Sequence, residues 1–188
     1  MNYTIATGPR AAATELLVVS GNSDGFCCGF GTRQNSDLRA AVPAAGFTLN
    51  EPGDNVPIPD VIPPTVKVVW LWLPNGNFTT NQVNGLKSFA AEGGRILMTG
   101  ENDAFLVANG ALTTLLGQLG SGMSINSGVQ LVSNTLTDIT AAQLTTGVTQ
   151  VEIATASSID LGSSDTSLVR DDAGNTAIGV TTVDTTPI

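Results

Sequence analysis

The sequence predicts an α/β fold, a three-layer arrangement on a parallel sheet with a strand-rich C-terminal part, and three observations predict it. Val68-Val69-Trp70-Leu71-Trp72-Leu73 is an unbroken apolar run, as befits a strand covered by helices on both faces. Val83, Leu86, Phe89 and Ala90 then recur three and four apart behind a Thr79-x-x-Gln82 capping box, which predicts a helix. After the Gly93-Gly94 stop, Arg95-Ile96-Leu97-Met98-Thr99 reads as a second strand. It delivers the polar turn Gly100-Glu101-Asn102-Asp103 to its C-terminal end.

The other elements follow in order. Residues 1–15 form an N-terminal extension, with a candidate edge strand at Tyr3-Thr4-Ile5 broken by Gly8-Pro9. Leu16-Leu17-Val18-Val19-Ser20 is a buried strand running into the loop Gly21-Asn22-Ser23-Asp24-Gly25. A short helix follows, with Asn35 or Ser36 as N-cap, Leu38, Ala41 and Val42 facing inward, and an end near Pro43. Gly46-Phe47-Thr48-Leu49 is the next strand. Residues 51–65 hold five of the nine prolines and read as an extended connector, since proline suits neither a helix interior nor a central strand. Leu112, Leu115, Leu116 and Leu119 mark a helix over roughly 111–119. The tail, 123–188, carries strand-like runs at 129–132, 151–154, 167–170 and 177–180, with a helical turn at 141–144 and a hairpin turn at Asp171–Asn175. No internal repeat or linker divides the chain, so residues 1–188 read as a single domain.

Composition excludes more chemistry than any motif adds. There is no histidine in 188 residues, which rules out a Ser-His-Asp triad, a Cys-His dyad and any His-ligated metal within one chain. Acidic residues outnumber basic ones 16 to 7, for a net charge of −9, so nucleic acid would be repelled and is not expected as a partner. Only 12% of residues are charged, and the surface must be built largely from Thr, Ser, Asn, Gln and Gly. That composition points to an extracellular or cell-surface protein. The first residues lack the basic region and apolar core of a signal peptide, and no apolar run is long enough to span a membrane. The only cysteines, Cys27 and Cys28, are adjacent. That leaves two readings, thiols packed in the loop or a reactive or metal-binding pair.

The succession of elements from Leu16 to Leu119, and above all Phe89-Ala90-Ala91-Glu92-Gly93-Gly94-Arg95-Ile96-Leu97-Met98, resembles the class I glutamine amidotransferase-like superfamily, a flavodoxin-like fold. The likeness is to its non-catalytic or uncharacterised secreted bacterial branch. Active members carry Gly-x-Cys-x-Gly at the strand-to-helix elbow. The matching residues here are Gly100, Glu101, Asn102, Asp103 and Ala104, so the nucleophile position holds Asn102 and the second glycine is Ala104. The resemblance therefore implies the fold without the amidotransferase activity.

With the flavodoxin-like strand order 2-1-3-4, the C-terminal ends of the first, third and fourth strands would lie side by side, where open α/β sheets bind their ligands. Those ends carry Asn22 and Asp24, then Asn75, then Glu101, Asn102 and Asp103. These six are the candidate ligand-binding residues. Asp24, Glu101 and Asp103 are candidate ligands for a hard cation such as Ca²⁺; otherwise no cofactor is expected. The same residue types also populate ordinary turns and caps. Three functions follow: a non-catalytic binding or interaction domain with a carbohydrate or protein partner; a carboxylate- or metal-dependent hydrolase using Glu101 or Asp24 as base; and a structural subunit of an extracellular assembly, joined through its strand-rich tail. Trp70 and Trp72, two apart on one strand face, are expected in the core beneath a helix.

Overall fold

The computed structural model describes residues 12–21, 30–31, 35–131, 134–153 and 155–188. They fall into two compact units, one spanning residues 1–99 with 185–188 and the other 100–184.

The first unit is built on β1 (Glu15–Ser20), α1 (Ser36–Ala44), β2 (Thr48–Asn50), β3 (Val66–Trp72), α2 (Thr80–Ala91) and β4 (Arg95–Thr99). Its sheet has the order β2-β1-β3-β4, with every pairing parallel. Because β1 connects outward to β2 and β3 outward to β4 in opposite directions, right-handed crossovers put α1 and α2 on opposite faces. The side chains agree. Leu16 and Val18 of β1 cluster with Val42 of α1 and Phe30, while Val68, Trp70 and Trp72 of β3 pack against the same group. The alternate residues Leu17, Val19, Val69 and Leu71 are buried toward the other face, and α2 buries Val83, Leu86 and Phe89.

The two tryptophans thus belong to the core. Phe30, Trp70 and Trp72 form a triangle with all three ring centroids 5.4 Å apart and edge-to-face geometry throughout. Trp70 Nε1 donates to Thr99 Oγ1 at 2.8 Å, tying the polar edge of the ring to β4. The α2 start is the capping box of the sequence: Thr79 Oγ1 accepts from Gln82 N at 3.2 Å and Gln82 Oε1 accepts from Thr79 N at 2.9 Å.

The second unit contains α3 (Leu106–Gln118) and seven strands: β5 (Ser124–Leu131), β6 (Asn134–Leu136), β7 (Asp138–Ile139), β8 (Val151–Ile153), β9 (Ala156–Asp160), β10 (Thr166–Arg170) and β11 (Thr176–Val180). Five of them form a sheet of order β5-β9-β11-β10-β7, and β6 pairs with β8; every one of these pairings is antiparallel. This corrects the expectation of a three-layer flavodoxin-like or glutamine amidotransferase-like fold: the four-stranded parallel sheet is present, but the strand-rich part forms an antiparallel sheet of five strands that is not flavodoxin-like. The physical reason lies in the connections. Among the described residues no α-helix lies between the strands from β5 onward, and parallel neighbours usually need such a crossover. The β10–β11 hairpin closes at Asp171–Asn175, where Asp171 Oδ1 accepts from Ala173 N at 3.0 Å and Asn175 N at 2.7 Å.

Helix α3 begins five residues earlier than the leucine stripe predicts, because a one-turn 3₁₀ segment at Asp103–Phe105 leads directly into it. It packs on β5, and Thr113 Oγ1 accepts from Ile125 N at 3.0 Å.

Candidate functional site

At the end of the parallel sheet, sequence and packing leave little room. A Cβ on Gly21 would collide with the backbone of Leu73, Pro74 and Asn75, so only glycine lets β1 finish beside the end of β3. Leu73 itself has φ +47°, a left-handed conformation that is strained for leucine, and its side chain is buried. Asn75 Nδ2 donates to Asn55 Oδ1 in the connector. Of the residues predicted for this end, Asn22 and Asp24 lie outside the described residues, as do Cys27 and Cys28.

In the second unit the polar turn Gly100–Asp103 is organised around a residue the sequence reading passed over. Asn109, 2% exposed in the first turns of α3, accepts from Glu101 N at 3.0 Å and donates to Glu101 O at 2.8 Å and Asn102 O at 3.2 Å. It also reaches Ser127 Oγ at 3.3 Å, so the helix, the turn and β5 meet on a single amide. Gly100 suits this close packing: a Cβ would lie 2.6 Å from Ile125 Cδ1 and 2.9 Å from Asn109 Oδ1, so those side chains would have to shift. One signal for Asn109 was available, a lone amide within the apolar helix sequence Leu106-Val107-Ala108-Asn109-Gly110-Ala111-Leu112.

The predicted side chains serve the same turn. Glu101 Oε1 accepts from Asn102 N at 3.0 Å and from Asn102 Nδ2 at 3.2 Å. Asn102, rather than Asp103, caps the following turn, accepting from Ala104 N at 2.9 Å. Asp103 is exposed. Glu101, Asn102 and Asp103 thus stand together by virtue of sequence adjacency, in a different unit from Asn75. Among the described residues no group of three or more Asp, Glu or Cys side chains could hold a metal ion.

Immediately beyond the acidic turn, Leu106 and Val107 are 62% and 67% exposed on the first turn of α3. Two adjacent large aliphatic side chains in water, next to Asp103, form the apolar feature of this surface. Edge pairing has less to work with. Strand β5 is interrupted by a register shift between Asn126 and Gln130, and Thr113 takes up one of its amides, while β7 at the other edge has two residues.

Two carboxylates in the second unit have clearly displaced acidities, and both lie in turns. For Asp165, burial alone would raise the pKa, but donors from Thr181, Gly162, Ser121 and Gly122 together hold it below the ordinary carboxylate value. For Asp171, burial is likewise outweighed by donors from Asn175, Ala173 and Gly174, and the pKa is lowered. These side chains are structural anchors.

Comparison with family models and with curated proteins finds no match. Among solved structures, one that matches is described as the mmIFT52 N-terminal domain, with a TM-score of 0.60 and 14% identity over 82% of this chain and 76% of that one. The fold resembles that domain. At 14% identity the likeness speaks to the fold alone.

It corrects two expectations. The assignment to the glutamine amidotransferase-like superfamily rested on one helix-to-strand passage, and a C-capped helix turning into a buried strand is generic to α/β units; the matching fold is instead an IFT52 N-terminal domain. The secreted, extracellular or cell-surface location is likewise withdrawn: it rested on a compositional association alone, and the solved structure that the fold resembles, described as an IFT52 N-terminal domain, lends secretion no support. No helix among the described residues is long and apolar enough to cross a membrane.

Proposed function

We propose that this chain is a non-catalytic interaction domain that engages a protein partner through the turn Glu101–Asp103 and the first turn of α3. The observation that carries the reading is a division of labour. The polar side chains of the turn, Glu101, Asn102 and Asn109, are committed to hydrogen bonds that hold the turn itself, whereas Leu106 and Val107 stand exposed side by side. A site built for proton transfer would leave a carboxylate facing a cleft with its acidity tuned. An aliphatic pair beside the carboxylate of Asp103 suits instead an apolar contact with a basic rim on the partner, matching a net charge of −9.

A protein fits this surface better than a carbohydrate, since the aromatic rings that would stack on a sugar, Trp70 and Trp72, pack in the core of the other unit. The structural likeness to an intraflagellar transport domain accords with a protein partner.

The test is a Leu106→Glu, Val107→Glu double variant compared with wild type in affinity capture from the source cells at low and moderate salt. The variant should lose the captured protein while keeping its far-UV circular dichroism. Equal capture by both would refute the assignment of this surface.

A further inference from the structure

The face of α2 turned away from the sheet is covered by two extended segments of its own unit. One is the proline-rich connector. Gln82 Nε2 donates to Ile58 O at 3.0 Å, and the carbonyl oxygen of Asp60 lies so close over Gly85 that a Cβ there would collide with it. The other segment is residues 185–188, which return to this unit after the whole of the second unit has been traversed.

The grip on that returning segment is specific in kind. Lys87 Nζ donates to Thr186 O at 2.6 Å. Asn84 holds both backbone groups of Ile188: its Oδ1 accepts from Ile188 N at 2.9 Å and its Nδ2 donates to Ile188 O at 3.3 Å. Lys87 is only 2% exposed, unusual for a lysine, and a buried ammonium must be provided with acceptors. Ile188, by contrast, leaves its side chain 57% exposed, so the segment is held by its backbone. The sequence suits this mode of binding. Pro187 offers no N–H and so leaves no donor to satisfy between the two gripped residues, and it fixes its own φ while biasing Thr186 toward an extended conformation. Little chain entropy remains to be lost on docking.

We infer that Asn84 and Lys87 form a binding site for an extended, proline-containing peptide backbone, and that residues 185–188 occupy it in cis as a releasable strap. Recognition runs through the carbonyl of one residue and both backbone groups of the residue two positions later, with a proline between them. Asn84 also borders an open groove of about 370 Å³ between α2 and Asp60–Ile62. Because the strap is tethered, its effective concentration is of millimolar order, and a competing peptide must approach that level to displace it.

The test uses the full chain, ¹⁵N-labelled, with hydrogen exchange of the Ile188 amide as readout and an unlabelled synthetic peptide of the sequence of residues 183–188 as probe. In wild type that amide should be protected. The peptide at several millimolar should accelerate its exchange saturably, by at least about tenfold, as expected for opening of a local contact. A peptide N-methylated at the residue matching Ile188 cannot donate to Asn84 and should have no effect. Asn84→Ala should accelerate exchange to the same extent without peptide and abolish the peptide response. Lys87→Met, which keeps the aliphatic stem in the helix, should do likewise and covers the case in which Asn84→Ala perturbs folding. An unprotected Ile188 amide in wild type, protection that survives both substitutions, or equal displacement by the N-methylated peptide would overturn the assignment.

Discussion

The side chain of Asn109 closes a ring on the backbone of Glu101, accepting from its N–H at 3.0 Å and donating to its carbonyl at 2.8 Å from eight residues away. One buried amide therefore satisfies both main-chain groups of the residue that opens the polar turn. Asn109→Ala leaves the Glu101 N–H without its acceptor, while the carbonyl keeps a bond from Ser157 N at 3.3 Å, and an unpaired buried polar group costs about 1–3 kcal/mol. The variant should lose about 1–3 kcal/mol of stability in urea titration. Asn109→Asp keeps the acceptor, removes the donor and adds a buried charge, so it should be worse than Ala. If either variant unfolds at the wild-type midpoint, the amide is not what holds the turn.

Two glycines should respond oppositely to the same substitution. Gly21→Ala drives a methyl group into the backbone of Leu73, Pro74 and Asn75, which cannot rotate away, and should cost more than about 2 kcal/mol. Gly110→Ala, in the interior of α3 with nothing within 4 Å of the new carbon, should stabilise by about 0.5–1 kcal/mol. Thermal melts of the two single variants against wild type decide both signs.

Glu101 accepts from Asn102 through one carboxylate oxygen, and a carboxamide retains that acceptor. Glu101→Gln should thus change stability by less than about 0.5 kcal/mol, whereas Glu101→Ala should lose about 1 kcal/mol. Loss of a measured hydrolytic activity in the Gln variant, with the fold intact, would restore the reading of Glu101 as a general base.

Acid should weaken the second unit through Asp165 and Asp171. Both carboxyls have folded-state pKa values below their unfolded ones, because donors from the surrounding turns favour the charged form. Their contribution is complete above the unfolded pKa and is lost as pH falls through the lower folded values, that is, from about pH 4 downward. Melting temperatures followed by far-UV circular dichroism should fall over that range, and the slope should flatten in Asp165→Asn and in Asp171→Asn. An unchanged slope in both would show that other carboxylates govern acid unfolding.

The parts of the fold legible in the sequence are those set by local periodicity. Strand β3, helix α2 with its Thr79–Gln82 box and strand β4 all follow from apolar spacing and cap chemistry within about 35 residues. The start of α3 was misplaced because Ala104-Phe105-Leu106-Val107-Ala108 is apolar all round and Gly110 interrupts the pattern, while two of its large side chains turn out to face water. In the second unit, strands of two to eight residues carry no record of their neighbours. The order β5-β9-β11-β10-β7 is decided by long-range pairing and a bulge at 127–129. The six candidate site residues were chosen by residue type at strand ends. Types alone could not separate a carboxylate that meets a ligand from one that, like Glu101, accepts from its own neighbour. Asn109 was missed for the converse reason: its role depends on what it is folded against.

The aromatic triangle gives the molecule an optical asymmetry. Both tryptophans of the chain are in it, and residues 100–184 contain neither tryptophan nor tyrosine. Intrinsic fluorescence therefore watches the parallel-sheet unit alone, while backbone ellipticity sums over both. With edge-to-face rings at 5.4 Å, loosening of Phe30 from Trp70 and Trp72 should alter emission before the strands separate. Overlaid denaturation curves from the two signals then read directly whether the units melt as one cooperative body, with coincident midpoints, or as two.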